Sequence, residues 1–183
     1  MFEFLKNLFN KVTPVKEGEP VYINITDKNI MINQNKITVP CSIDRISAIL
    51  GQPRAQRYET KPEDKKMLEQ MHPNAKVTDR VNYMWDNLGI KCYTLDGKTV
   101  NTFGIELNKG VLEYPNAPAN MFGGTVTITG RPWLQAIKLG DDEMVLQKLR
   151  VGNYSLCAEY VDIDQDMNSR TERDYTGIEI GLT

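Results

Sequence analysis

The chain has 183 residues, 40% of them hydrophobic and 25% charged: long enough for one sizeable domain or two small ones sharing a core, and too apolar for wholesale disorder. No apolar run approaches the roughly 20 residues that span a bilayer. The net charge of −2 hides an asymmetry, since residues 1–140 carry 18 Lys/Arg against 14 Asp/Glu and residues 141–183 only 4 against 10, which disfavours nonspecific nucleic-acid binding at the acidic end.

Residues 1–16 read as an amphipathic segment and linker. Phe2, Leu5 and Phe9, with Leu8 beside them, fall at helical spacing, while Glu3, Lys6 and Asn7 spoil a secretion signal. The segment is expected to dock on the domain, a partner or a membrane surface. Cys41, Cys92 and Cys157 form no CxxC, and with a single histidine there is no zinc pattern. An odd number of thiols without a signal implies reduced cysteines in a cytoplasmic protein, with Cys92 and Cys157 as buried apolar residues of strands.

From 21 to 39, Val21, Ile23 and Ile25, then Ile30 and Ile32, then Ile37 and Val39 alternate with polar residues. Period two predicts short antiparallel strands with turns at 27–29 and 33–36. A helix is predicted from Ser42 as N-cap to Gly51, with Ile43, Ile46, Ile49 and Leu50 on one face and Pro53 stopping it. Residues 54–80 are polar, and a second helix with Pro62 at its first position offers a narrow face of Met67, Leu68 and Met71.

Tyr83 and Trp85 predict one face of a strand, Asp86 to Gly89 a bend, and Asp96-Gly97 a two-residue hairpin turn returning through Val100, Phe103, Ile105 and Leu107. Asp86 is placed to satisfy backbone donors at the bend. The Pro/Asn/Gly-rich stretch 113–124 reads as a connection. Beyond it come a strand at 125–130, an ambiguous segment holding Trp133, a helix over 141–152 capped by Asp141 and closed by Gly152, and two strands around a polar loop. The fold class expected is α+β, an antiparallel sheet with helices on one face, in two halves over 17–112 and 125–183, with a weak strand-helix-strand-strand repeat over 36–107 and 125–182.

Candidate chemistry is sparse. Asp162, Asp164, Asp166 and Asn168 resemble the start of a calcium loop, but Met167 holds the glycine position and Arg173 the twelfth. A solvated hairpin loop is the simpler reading. His72 has no neighbouring nucleophile, and neither a nucleophile elbow nor a phosphate-binding loop occurs. No catalytic residue, cofactor or metal site is assigned.

Ile37-Thr-Val-Pro, the Ser-Ile-Asp helix closing in Leu50-Gly51-Gln-Pro53, and the run Trp85-Asp86-Asn-Leu88-Gly89-Ile90 with Tyr93 and Asp96-Gly97-Lys98 resemble a poorly characterised bacterial domain family over residues 30–110. The resemblance implies a cytoplasmic protein, in some members encoded beside polymorphic toxins, and transfers no catalytic residues. A fainter likeness to small outer-membrane assembly lipoproteins and β-lactamase-inhibitor-like folds departs at the missing lipobox cysteine.

The leading expectation is a non-enzymatic protein-binding domain, specifically an immunity protein that occludes a toxin's active site. Its partner-binding residues are Asp162, Asp164, Asp166, Glu172 and Asp174, facing a basic toxin domain. An envelope-associated interaction module and a hydrolase with an unrecognised site, marked by acids gathered around His72 or Tyr83, stay open.

Overall fold

Short alternating segments build a first sheet from both halves of the chain. In the computed structural model, which describes residues 12–59, 61–71, 80–107, 118–143, 146–163 and 172–182, β1 (Tyr22–Ile25), β2 (Ile30–Ile32) and β3 (Asn35–Ile37) form an antiparallel meander. Ile23, Ile25, Ile30, Ile32 and Ile37 are buried, as period two predicts. The second turn takes only residues 33 and 34, so Asn35 and Lys36 already belong to β3.

The stretch read as a linker docks instead. Val15 N–H donates to the Ile49 carbonyl at 2.8 Å, and Thr13 and the buried Asn35 amide exchange hydrogen bonds of 2.8 and 2.7 Å. Residues 1–11 lie outside the described residues.

After β4 (Cys41–Ser42), α1 (Ile43–Leu50) forms as its sequence dictates. The Ser42 hydroxyl accepts from Asp44 N–H at 3.1 Å, and Ile43, Ile46, Ile49 and Leu50 are buried. Gly51, at φ +87°, closes the helix by donating to Ser47. Then comes a strand the sequence hides, β5 (Arg54–Tyr58), because an edge strand with polar side chains shows no apolar period. α2 (Pro62–Met71) follows where Pro62 predicts it, with Met67 exposed.

β6 (Arg80–Trp85), β7 (Ile90–Thr94) and β8 (Thr99–Glu106) are consecutive antiparallel strands. The β7–β8 connection is four residues long instead of two. Asp96 accepts from Lys98 N–H, Thr99 N–H and the Thr99 hydroxyl at 2.8, 2.6 and 2.7 Å, so side-chain capping shapes the loop around Gly97.

β9 (Thr125–Ile128) joins the first sheet parallel to β1, and β10 (Arg131–Pro132) leads into a short α3 (Trp133–Ile137). The helix expected over 141–152 is wrong. That segment is β11 (Asp141–Glu143) and β12 (Leu146–Val151), with Gln147 and Val151 buried and Leu149 packed on the core. Its charge distribution suits a helix, but the inward residues recur every second position and Gly152 turns the chain into β13. β13 (Tyr154–Ile163) and β14 (Glu172–Leu182) complete the second sheet.

Among the described residues the five-stranded sheet runs β10-β9-β1-β2-β3. The nine-stranded one runs β11-β12-β13-β14-β8-β7-β6-β5, with β4 also on β8. The result is a strand-rich α+β fold. One face of the large sheet supplies Ile90, Ile105, Ile178 and Ala158 in one row, and Cys92, Phe103, Ile180 and Leu156 in the next, to a core shared with the small sheet and α1.

The Trp-Asp-x-Leu-Gly-Ile run is the junction of this scaffold. Trp85 is buried and donates its indole N–H to the Gly51 carbonyl, while Asp86 accepts from Arg54 Nε and Nη2 and from Ala119 N–H. Gly89, at φ +65°, lies so close to Met121 and Phe122 that a Cβ there would overlap their backbone.

Candidate functional site

The charged residues of the large sheet gather on the face away from the core. Along the register Lys91 of β7 stands beside Gly104 of β8 and then Glu179 of β14, and Glu106 stands beside Gly177 and then Glu159 of β13. Each alternates with a core residue, so pleating alone puts them on the opposite side. Gly104 makes the arrangement possible: a Cβ there would stand 2.8 Å from Lys91 Cγ, so its absence lets the lysine stem lie across β8.

Lys91 Nζ sits 3.3 Å from Glu106 Oε2 and 3.7 Å from Glu179 Oε1, and the Tyr93 hydroxyl donates to Glu179 Oε1 at 2.7 Å. The Lys91 and Glu106 side chains are only 15% and 14% exposed, so these charges interact through less water than a surface pair. Glu159, exposed at the next strand, has no salt-bridge cation among the described residues.

The electrostatics decide what the cluster can do. Burial works against the charge on Lys91, but Tyr93, Glu106 and Glu179 outweigh it and hold the ammonium well above its ordinary pKa. Burial also pushes the Tyr93 phenol up to about 12, Lys91 opposing. Glu159 is raised by burial first, then by Glu179 and Glu106, with Lys91 opposing. The set holds charge: Lys91 pairs with Glu106 and Glu179, and Glu159 stands on the same face beside them. Asn82, fully buried and across from Tyr93 in the register, has neither amide atom hydrogen-bonded.

Of the five acids expected to bind a partner, three fall in described strands. The register sets Asp162 opposite Arg173, Asp174 opposite Val161 and Glu172 opposite Ile163, at the outer end of the β13–β14 hairpin that carries Glu159 and Glu179 further in. Asp164 and Asp166 lie outside the described residues, as does His72. Tyr83 donates its hydroxyl to the Gly97 carbonyl at 2.8 Å, where it closes the β7–β8 loop. Among the described residues no group of three or more His, Cys, Asp and Glu is arranged to hold a metal ion.

Sequence reading missed Lys91, Tyr93, Glu106, Glu159 and Glu179 as a set. The signal was a charged residue between apolar neighbours inside each strand, as in Ile90-Lys91-Cys92 and Ile178-Glu179-Ile180, but only strand order brings them together. Cys92 is buried as expected, whereas Cys157 is half-buried because it stands beside Glu179 on the polar face.

No helix among the described residues is long and apolar enough to cross a membrane. Neither the curated proteins nor the solved structures give a match. Residues 22–142, from β1 into β11, match a protein family described as a domain of unknown function, DUF7738. The matched span contains the Trp85–Ile90 run together with Lys91, Tyr93 and Glu106, and stops short of Glu159 and Glu179. An uncharacterised domain family is what the motifs of residues 30–110 led us to expect, and the chain belongs to this one.

Proposed function

We propose that this protein is a non-enzymatic, cytoplasmic protein-binding domain whose acidic β13–β14 hairpin and adjoining sheet face engage a basic partner. The specific form we favour is an immunity protein that covers the active site of a basic toxin domain. One observation carries the reading: the β13–β14 hairpin carries Glu159 and Glu179 on one face and Asp162, Glu172 and Asp174 at its outer end, while Lys91 pairs with Glu179 and with Glu106 of the neighbouring β8 and no salt bridge reaches Glu159 among the described residues. Asp164 and Asp166 extend that acidic run in sequence.

Such a surface acts before contact as well as after it. Uncompensated carboxylates draw a basic partner inward at rates above the ordinary range, and like-charged surfaces are turned away. A rigid sheet needs little reorganisation on docking, which favours occlusion of a cleft by a preformed face. The protonated state of Lys91 and the neutral Tyr93 support binding over proton transfer.

The test is recovery of the tagged full chain from its host at low and at moderate salt, with the neighbouring genes expressed. A stoichiometric basic partner whose association rate falls with salt, and falls again on replacing Asp162, Asp164, Asp166, Glu172 and Asp174 with alanine, is the expected result. Association indifferent to both salt and these replacements would remove the acidic surface from the reading.

A further inference from the structure

A second feature lies on the core side of the large sheet, away from the acidic face. Where the two sheets meet, a crevice of about 300 Å³ opens between β9, β10 and α3 on one side and the end of β12 on the other. Its apolar lining is Ile128, Ala136, Leu149 and Val151. Leu139 stands at its edge, 69% exposed.

Single exposed leucines are common on soluble proteins, but this one is held in place beside a hollow of its own chemistry. Its N–H donates to the Ala136 carbonyl at 3.0 Å, and that of Gly140 to Ile137 at 2.9 Å. Gly140 packs on Lys148 so closely that a Cβ would overlap the β12 backbone, and its carbonyl accepts from Gln147 Nε2 at 3.1 Å. The far wall is as firm, since Gly152 lies against the Asp27 backbone with no room for a Cβ and Asn153 N–H donates to the Asp27 carbonyl at 3.3 Å. Knob and hollow are therefore fixed side by side.

Two charged residues border the crevice as well, Asp27 from the β1–β2 turn and Arg131 from β10. Both are exposed, and neither side chain makes a salt bridge or hydrogen bond among the described residues.

We infer that this face binds a second copy of the chain about a two-fold axis, with Leu139 of each copy seated in the crevice of the other. A two-fold contact uses one patch twice, so the patch must carry each feature together with its complement. This one does: a projecting leucine beside an apolar hollow, and an unpaired carboxylate beside an unpaired guanidinium. The hollow, at the lower limit of small-molecule pockets, suits a side chain better than a free ligand. Arg131 of each copy opposite Asp27 of the other sets the register. A contact built on one leucine and one charge pair from each side is at the small end of specific interfaces, so the dimer forms reversibly with concentration. This inference is independent of the acidic face.

The test is sedimentation equilibrium of the full-length protein from micromolar to near-millimolar concentration, where a monomer–dimer equilibrium is expected. Leu139→Ala should weaken the dimer about a hundredfold with the circular dichroism spectrum unchanged, because the lost burial counts twice. Leu95→Ala, at a position 61% exposed on the β7–β8 loop, should leave it unchanged. Asp27→Arg and Arg131→Asp should each weaken it at least about tenfold, and the two together should restore it. A chain monomeric at every concentration, a dimer indifferent to Leu139→Ala, or charge reversals that the double variant fails to rescue would overturn the assignment. So would a monomer in which Leu139→Ala weakens recovery of the basic partner sought above, which would give the crevice to that partner.

Discussion

The Trp85 indole N–H donates to the carbonyl of Gly51 across 2.8 Å, tying the residue that closes α1 to the bend that joins β6 to β7. The bond spans 34 positions of sequence and sits under a side chain that is 1% exposed. Trp85→Phe removes the donor and part of the ring, and is expected to cost about 2–3 kcal/mol in urea unfolding. The native emission should also move to the red, because the remaining Trp133 is half-buried.

Gly89→Ala is expected to be worse than a surface change of one methyl suggests. The residue combines φ +65° with direct contact against the Phe122 backbone, so strain and overlap add. We expect a loss of about 2–4 kcal/mol by chemical denaturation. A loss of only a few tenths would mean that the 118–122 segment yields freely.

Asp86 joins Arg54 to the Ala119 N–H, so its two obvious replacements should separate the roles. Asp86→Ala removes every acceptor and is expected to cost about 1–2 kcal/mol; Asp86→Asn keeps one for Ala119 and should cost less. Its pKa is depressed, first by the Arg54 hydrogen bond. The contribution is therefore fully present above the ordinary carboxyl value and lost as pH falls through the lowered one, and the wild-type advantage over Asp86→Asn should shrink across that window.

Glu159 gives the opposite sign. Its folded pKa is raised, so the folded state binds the proton more tightly and stability falls as pH rises from the ordinary value of 4.5 through the raised one. Glu159→Gln is expected to be neutral or slightly stabilising at pH 7, with a flatter stability profile on the acid side. Under the function proposed above, the same variant should slow partner association. Slower association from a variant that folds no worse is the outcome that reading expects at this position.

Asp96 accepts three hydrogen bonds at the β7–β8 loop, led by those from Thr99, and they lower its carboxyl to about 2. A carboxyl-carbon NMR titration should find it among the last to protonate. Asp96→Asn, which forms weaker bonds to the same amides, is expected to loosen the loop, read as faster amide exchange at Lys98 and Thr99.

Local signals determined a good part of this protein by themselves. The alternating isoleucines of 21–39, the Ser42 cap with its Ile43, Ile46, Ile49 stripe, and the Gly51 closure need only neighbouring residues to act, and each formed as read. The bend after Trp85 was legible in its Asp-Asn-Leu-Gly run, but the groups that hold it, the Gly51 carbonyl, Arg54 and the Ala119 N–H, are distant in sequence. The tertiary structure decided what depends on partners distant in sequence. β5 exists because β6 offers it an edge, and 141–152 became strands because β13 pairs with it, overriding helix-like charge placement. The charged cluster is the clearest case: Lys91, Glu106, Glu159 and Glu179 sit on four strands, and pairing β8 with β14, 66 positions or more apart in the chain, sets them side by side. Hydrogen-bonded pairing of distant strands is not written in local periodicity, so which charges would share one face became visible only once the sheet had closed.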